Sequence, residues 1–311
     1  MVVQPSIQHT APMPQRAHPI AVAFLLQDFT TGGISQWIYT LCRQLHKTDP
    51  GLFAFHFICT HGWVIRQRFY QLGFPVFLGR EGKTPNWMVW LRVKRYLRRL
   101  SPEIVIFSNL KAYRDVCFEV RPPVIIERKA GMRTINRYDS NGVDAMICQN
   151  RRVMDAIEYD PAKKFLVYHG VDVDEMRSVQ PNRLGFSAND FIVGQVSRVG
   201  RGQNQRLLID AVLRLRRTYP QVKMVLVGGT TPQADAVDLL PELRAYAKPL
   251  GDHVRFTGDM EDPFSYIAGF NVATCTGTRE LGEGAPRKLI EPMAMGIPCV
   301  TTDGGATNEV V

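Results

Sequence analysis

The sequence predicts an α/β protein with parallel sheets, divided between two domains. Short continuous apolar runs recur along the chain, among them Ile20–Leu26, Phe53–Cys59, Ile104–Phe107, Phe191–Val196 and Lys223–Val227. Such runs mark strands buried on both faces. Segments with apolar residues at helical spacing stand between them, and strand alternating with helix builds parallel βαβ units. The chain has 311 residues, 45% of them hydrophobic, enough for about two domains of roughly 100–200 residues each.

Composition narrows the function classes. No stretch reaches the roughly 18 apolar residues of a membrane span. The cysteines Cys42, Cys59, Cys117, Cys148, Cys275 and Cys299 form no Cys-x-x-Cys pair. They read as small core residues in a reducing compartment. The net charge of +9 favours anionic partners such as nucleotide phosphates or acidic lipid. Zinc-finger spacing and RNP-type aromatics are absent, which argues against nucleic acid. Residues Met1 to Pro19 are polar and rich in Pro and Gln. They lack the basic start and apolar core of a signal peptide, so a disordered tail and a cytoplasmic protein are expected.

The first strand, Ile20–Leu26, leads into Thr30-Thr31-Gly32-Gly33 and then a helix carrying Ile34, Trp37, Ile38, Leu41 and Leu45. Strand, glycine turn and helix suit a phosphate, although a plain turn explains the glycines equally. The G-x-G-x-x-G fingerprint is missing, which disfavours a nicotinamide-dependent oxidoreductase. Phe53–Cys59 and Pro75–Leu78 are further strands. Trp87 to Leu100 is a basic helix with Arg92, Lys94, Arg95, Arg98 and Arg99, and its apolar side is read as Trp87, Trp90, Leu91, Tyr96, Leu97 and Leu100. It can pack on a sheet with its charges in water, or lie on an anionic membrane. Ile104–Phe107, Val124–Ile126 and Ala145–Cys148 are strands, and Gln149 to Ile157 starts a helix. Lys164 to Asp172 closes the first domain, expected over residues 20–180. The D-x-D formed by Asp172 and Asp174 follows a turn glycine and lacks further ligands, so it is read as solvated rather than metal-binding.

Residues 181–190 are the expected linker, and 191–311 the second Rossmann-like domain. Phe191–Val196 precedes Ser197-Arg198-Val199-Gly200-Arg201-Gly202-Gln203-Asn204-Gln205 and a helix burying Leu207, Leu208, Ala211, Val212 and Leu215. Lys223–Val227 ends in Gly228-Gly229, and Asn271–Cys275 leads to the densest motif. In that motif, Gly282 to Pro298, Pro286 is placed to open a helix whose apolar face is Leu289, Ile290, Met293 and Ala294. Gly296 is a left-handed cap, and Pro298 stops the helix. Pro292 cannot bond the Lys288 carbonyl, so the helix should be short or kinked. Glu283 then lies at the helix mouth and Glu291 inside it. The free N–H groups suit a phosphate, and the inner carboxylate can accept from vicinal sugar hydroxyls. The alternative is an exposed Arg287–Glu291 ion pair contributing only about 0.2–0.5 kcal/mol.

Glu283 and Glu291 match an E-x7-E motif. Glu291 to Val300 resembles "E-(A/P)-M-A-x-G-x-P-V-V", and Thr302 to Gly305 with Asn308 to Val311 resembles "D-x-G-G…E-V-V". On these residues the chain resembles the GT4-type family of retaining GT-B glycosyltransferases. The resemblance implies two Rossmann-like domains facing a cleft. It implies transfer, with retention of configuration, from a nucleotide-diphosphate sugar to a glycan or lipid-linked acceptor. Lipid-linked acceptors add weight to contact with the inner face of an anionic membrane. No metal or cofactor is implied. Glu283 would contact donor sugar hydroxyls, and Arg198, matching the Arg of a "G-R-L-x-x-x-K-(G/N)" loop, would bind diphosphate; these two are the expected catalytic residues. Glu291 would bind ribose, with Gly284, Ala285, Arg287 and Lys288 around the phosphates. Gly228 would end a strand beside the nucleotide, and Gly32 and Gly33 would let the first domain approach. His169 takes the Asn position of "V-I-x-N-G-V-D". Gln203 takes the position of the loop's Lys and is neutral, with Arg201 or Arg206 as possible substitutes. Gln203 therefore leaves a second reading open, a catalytically impaired nucleotide-sugar-binding homologue or scaffold. Relatives continue for several helices, so the C-terminal domain is expected to be incomplete.

Overall fold

The structure, a computed structural model, describes residues 17–27, 33–60, 70, 72–108, 111–129, 131, 140–230, 238–260, 262–277 and 287–311. Most of the expected N-terminal tail, residues 1–16, lies outside them. The first sheet holds β1 (Ile20–Leu26), β2 (Phe53–Cys59), β3 (Val76–Leu78), β4 (Ile104–Ser108), β5 (Val124–Lys129), β6 (Ala145–Cys148) and β7 (Lys164–Leu166), in the order β3-β2-β1-β4-β5-β6-β7. The second holds β8 (Phe191–Val196), β9 (Val222–Val227), β10 (Val254–Phe256), β11 (Val272–Cys275) and β12 (Cys299–Thr301), in the order β10-β9-β8-β11-β12. Every ladder is parallel. Each sheet therefore reverses strand order once, between β1 and β4 and between β8 and β11. Crevices at the carboxyl ends of such switch points are where open α/β sheets bind ligands.

Helix α1 (Gly33–Thr48) buries Trp37, Ile38 and Cys42 against β1 and β2. Helix α2 (Asn86–Leu100) covers the opposite face through Val89, Val93 and Leu97, spaced four apart. This corrects its expected apolar side. Trp87 is 66% and Leu91 56% exposed, because the i, i+4 row that meets the sheet starts at Val89, leaving Trp87 and Leu91 on the water side. Trp90, Tyr96 and Leu100 pack partly against the core. Arg92 pairs with Glu81 and Lys94 with Glu119, while Arg95, Arg98 and Arg99 stay exposed. Helix α3 (Lys111–Val120) packs beside α2. β5 runs three residues beyond its apolar half, through Glu127, Arg128 and Lys129, all fully buried.

Helix α4 (Arg151–Ala156) is capped by Asn150. Helix α5 (Val173–Ser178) is capped by Asp172. The Asp172 carboxylate also holds Arg43 of α1 at 2.7 Å, and Arg43 reaches Glu175 at 2.8 Å, so the first aspartate of the D-x-D serves as a helix cap and ion-pair partner. The segment before β8 is fastened by Arg183, whose guanidinium donates to the carbonyls of Ser187, Asp190 and Gly269. Helices α6 (Gln205–Leu215), α7 (Leu240–Tyr246), α8 (Phe264–Ala268) and α9 (Arg287–Ala294) complete the second core. Near the chain end Glu309 accepts from the backbone N–H groups of Arg151 (2.8 Å) and Arg152 (3.2 Å) and from the Tyr168 hydroxyl (2.9 Å). That carboxylate caps a helix of the first sheet from the second, where the helix dipole favours it. All six cysteines are free, five of them buried. No described helix is long and apolar enough to cross a membrane.

Candidate functional site

The site forms at the switch point of the second sheet. β8 is apolar except for Gln195, which is fully buried. Its amide nitrogen approaches Ser197 Oγ (3.2 Å) and the Gln203 carbonyl (3.3 Å). The Thr276 hydroxyl, just beyond β11, lies 2.8 Å from the same carbonyl and 3.0 Å from Gln195 Oε1. Gln205 opens α6 and donates to the Arg198 carbonyl at 2.7 Å. Three buried polar side chains thus clamp the loop from Ser197 to Gln205. The close approach is completed by Gly228 at φ +125°, where an added Cβ would lie 2.2 Å from the Ser197 carbonyl oxygen. Only glycine fits there. The expected Arg198 is exposed on this loop. Arg206 turns away, pairing with Glu242 and lying 4.8 Å from the Tyr246 ring centre.

Helix α9 faces the loop. It spans eight residues with Pro292 inside it and ends before Gly296 at φ +77°. Its burial corrects the expected apolar face. Met293 is exposed, whereas Arg287 and Lys288 are 9% and Glu291 is 6% exposed. Leu289 packs inward as expected. A second inward row is charged, because this side of α9 is turned to the loop and the first domain rather than to water. Arg287 Nε and Nη2 both reach Glu291 Oε1, at 2.8 and 2.5 Å. The i, i+4 pair exists, but buried rather than on the surface. Lys288 Nζ lies 2.7 Å from Gln203 Oε1. The structure therefore brings Gln203, Arg287, Lys288 and Glu291 together, with Arg198 and Gly228 on the adjoining loop and strand end. Glu283, Gly284, Ala285 and Gly32 lie outside the described residues. Gly33 is the exposed first residue of α1, and nothing stands within 4 Å of an added Cβ.

Sequence reasoning misses Gln195, Gln205 and Thr276; the available signal is the lone polar residue inside the apolar run Phe191–Val196. The first domain contributes His169, which the resemblance places at an Asn position, and Gln149, which sequence reasoning misses. His169 sits beside Gln149, 2.8 Å between their Nε2 atoms. With the amide donating, the imidazole is neutral and carries its proton on Nδ1. Burial, then the charges of Arg128 and Arg287, push its pKa down to about 2. The unfolded chain protonates this residue near pH 6.5 and the folded chain does not, so stability is lost as pH falls below that value. At pH 5 the loss from this residue is about 2 kcal/mol. His169→Asn is expected to remove it, read as the difference in urea-unfolding free energy between pH 7.5 and pH 5. An unchanged difference would show that the imidazole is not held neutral.

Residues 190–311 match the family model of Glycosyl transferases group 1. The chain is 27% identical over 149 residues to EpsD of Bacillus subtilis, which carries a glycosyltransferase name; the match covers 46% of this chain and 37% of that protein. It is 28% identical over 181 residues to the Vi polysaccharide biosynthesis protein VipC/TviE of Salmonella typhi, covering 54% of this chain and 30% of that one. The matched part thus spans well under half the length of these curated relatives. Among solved structures, Anabaena Alr3699/HepE in complex with UDP and glucose superposes with a TM-score of 0.76 at 19% identity, over 93% of this chain and 82% of that one. WaaG, a glycosyltransferase involved in lipopolysaccharide biosynthesis, superposes at 0.67 with 14% identity, over 93% and 82%. At those identities the superpositions establish a common fold.

Proposed function

With residues 190–311 matching the Glycosyl transferases group 1 family model and two parallel sheets in the GT-B arrangement, we propose that this chain transfers a sugar from a nucleotide-diphosphate donor. One observation carries the reading. The short helix α9 buries two cations and a carboxylate at its N-terminal end, against a clamped loop at the switch point. Cations at a helix N-terminus suit a diphosphate, and a buried carboxylate suits ribose hydroxyls. Arg198 would reach the diphosphate from the loop, and Glu283 would contact the transferred sugar. The E-x7-E resemblance supports retention of anomeric configuration, to be read from the product's anomeric proton coupling. A polysaccharide-pathway relative supports a glycan acceptor.

The neutral Gln203 equally fits a protein that binds donors without transfer, and turnover separates the two. The test is melting of the purified chain with UDP, GDP, ADP and CMP, then with sugar conjugates of the nucleoside diphosphates. A bound ligand raises the melting temperature by mass action. A shift with one base, followed by transfer from its sugars, supports the proposal. A well-folded chain that shifts with none contradicts it.

The exposed Trp87 and Leu91 on α2, with Arg95 and Arg98 along the same side, support peripheral contact with anionic membrane. Binding to phosphatidylglycerol vesicles is expected at low salt and should fall at least about 30-fold for Arg95→Glu/Arg98→Glu, since two basic residues contributing about 1 kcal/mol each near such surfaces are lost. Equal binding by the double variant would remove α2 from the membrane reading.

A further inference from the structure

The first domain carries a buried cation that no carboxylate among the described residues pairs with. Glu127, Arg128 and Lys129 end β5 at 1% exposure or less. Strand alternation puts Glu127 and Lys129 on one face and Arg128 on the other. Glu127 and Lys129 pair at 2.7 Å, so the carboxylate of this stretch is turned away from Arg128. The Arg128 guanidinium lies 4.7 Å from the Trp37 ring centre and 3.5 Å from Ser108 Oγ. Its Nε and Nη2 are buried without a hydrogen-bond partner.

Two more orphaned nitrogens belong to this corner. His169 Nδ1 and Arg287 Nη1 are also buried and unpartnered, and the charges of Arg128 and Arg287 both act on the His169 ring. The corner lies at the carboxyl edge of the first sheet, where Arg128 is in register with Ser108 and Ile147, and Arg287 enters it from α9. With the proton on Nδ1, every one of these orphaned atoms is a donor. Unpaired buried cations are costly, and orphaned buried polar groups are uncommon in native folds.

We propose that Arg128 forms a subsite for an anionic group of a substrate, a phosphoryl or carboxylate group received between Arg128 and Arg287 with His169 Nδ1–H as a neutral donor. This rests on the nucleotide-sugar reading and extends the donor site onto the first domain. A guanidinium takes such groups through paired N–H···O bonds. The group is either the donor's diphosphate or a carboxylate on the transferred sugar.

The test compares the full chain with Arg128→Met by calorimetry, using inorganic pyrophosphate, UDP, UDP-glucose and UDP-glucuronate. If diphosphate is received, all four bind about tenfold or more weakly to the variant. If a sugar carboxylate is received, only UDP-glucuronate loses that factor. Without ligand, Arg128→Met is expected to melt at or above the wild type, since an unpaired buried charge has gone. Unchanged binding of all four probes by the folded variant overturns the subsite, as does wild-type protein that binds none of them. Should Arg128→Met fail to fold, Arg128→Lys decides, with weaker binding supporting the proposal and unchanged binding overturning it. Arg128-dependent binding of pyrophosphate without any nucleotide binding would keep the subsite and remove the nucleotide-sugar reading. Binding of UDP and of UDP-glucuronate that are both indifferent to residue 128 would do the reverse.

Discussion

Glu291→Ala is expected to weaken donor nucleotide binding about 100-fold, the loss of one or two charge-assisted hydrogen bonds at roughly 1.5–3 kcal/mol each. The single variant cannot be read by itself. It strips Arg287, 9% exposed, of the carboxylate that two of its nitrogens hold. Leaving a buried charge unpaired costs about 3–5 kcal/mol, enough to lower the melting temperature and mimic a binding defect. Arg287→Met/Glu291→Ala removes both charges and should recover most of that stability, because replacing a whole buried pair is often close to neutral. Calorimetry on the double variant then isolates the carboxylate. If it binds nucleotide as Arg287→Met does, Glu291 serves only to neutralise its neighbour, and the ribose assignment is lost. If binding stays about 100-fold weaker than in Arg287→Met, the carboxylate meets the nucleotide directly. A nucleoside diphosphate lacking the ribose hydroxyls should then be insensitive to Glu291→Ala.

The parts of the fold that sequence exposes are those with strong local signals. Ile20–Leu26 and Phe191–Val196 are strands in the structure with the same bounds, because unbroken apolar runs can be satisfied only where both faces are covered. Gly296 takes the left-handed conformation expected of it. Periodicity cannot say which row of a helix meets the core when apolar residues ring it. Trp87 and Leu91 are as apolar as Val89 and Val93, and only packing against the sheet separates them. The same limit explains α9, where Met293 faces water while Arg287, Lys288 and Glu291 turn inward. A charged residue inside a cleft has the sequence signature of a surface residue. Arg128 shows the limit most clearly. It follows Glu127 after the three apolar residues of β5 and reads as part of a strand's polar end, yet the strand continues and the guanidinium is buried. Its meaning depends on Trp37 and Ser108, and through His169 on Arg287, which are remote in sequence and meet only in the folded chain.

Lys288→Gln is expected to lower kcat/KM for donor turnover about 100-fold, the scale of removing one preorganised group that stabilises developing charge. Gln203 stands where the resemblance implies a Lys. Its carbonyl is fixed by Gln195 and Thr276, so its side chain has a defined direction, and Oε1 accepts from Lys288 Nζ at 2.7 Å. The amide thus holds an ammonium that comes from α9, 85 residues away along the chain. A lysine at position 203 would place two ammonium groups a few ångströms apart, and at about 4 Å that repulsion reaches about 4 kcal/mol at the effective dielectric of a protein surface. At this contact there is room for one ammonium, delivered either by the loop or by the helix. Gln203→Lys by itself should therefore reduce turnover and stability together. Gln203→Lys/Lys288→Gln, which moves the charge to the loop and the amide to the helix, should regain turnover to within about tenfold of the wild type, as expected when two contacting residues couple non-additively. Lys288→Gln with unchanged turnover would remove this lysine from the reaction and leave Arg198 as the loop's cation. A double variant no better than Lys288→Gln would mean that the ammonium acts only from the helix.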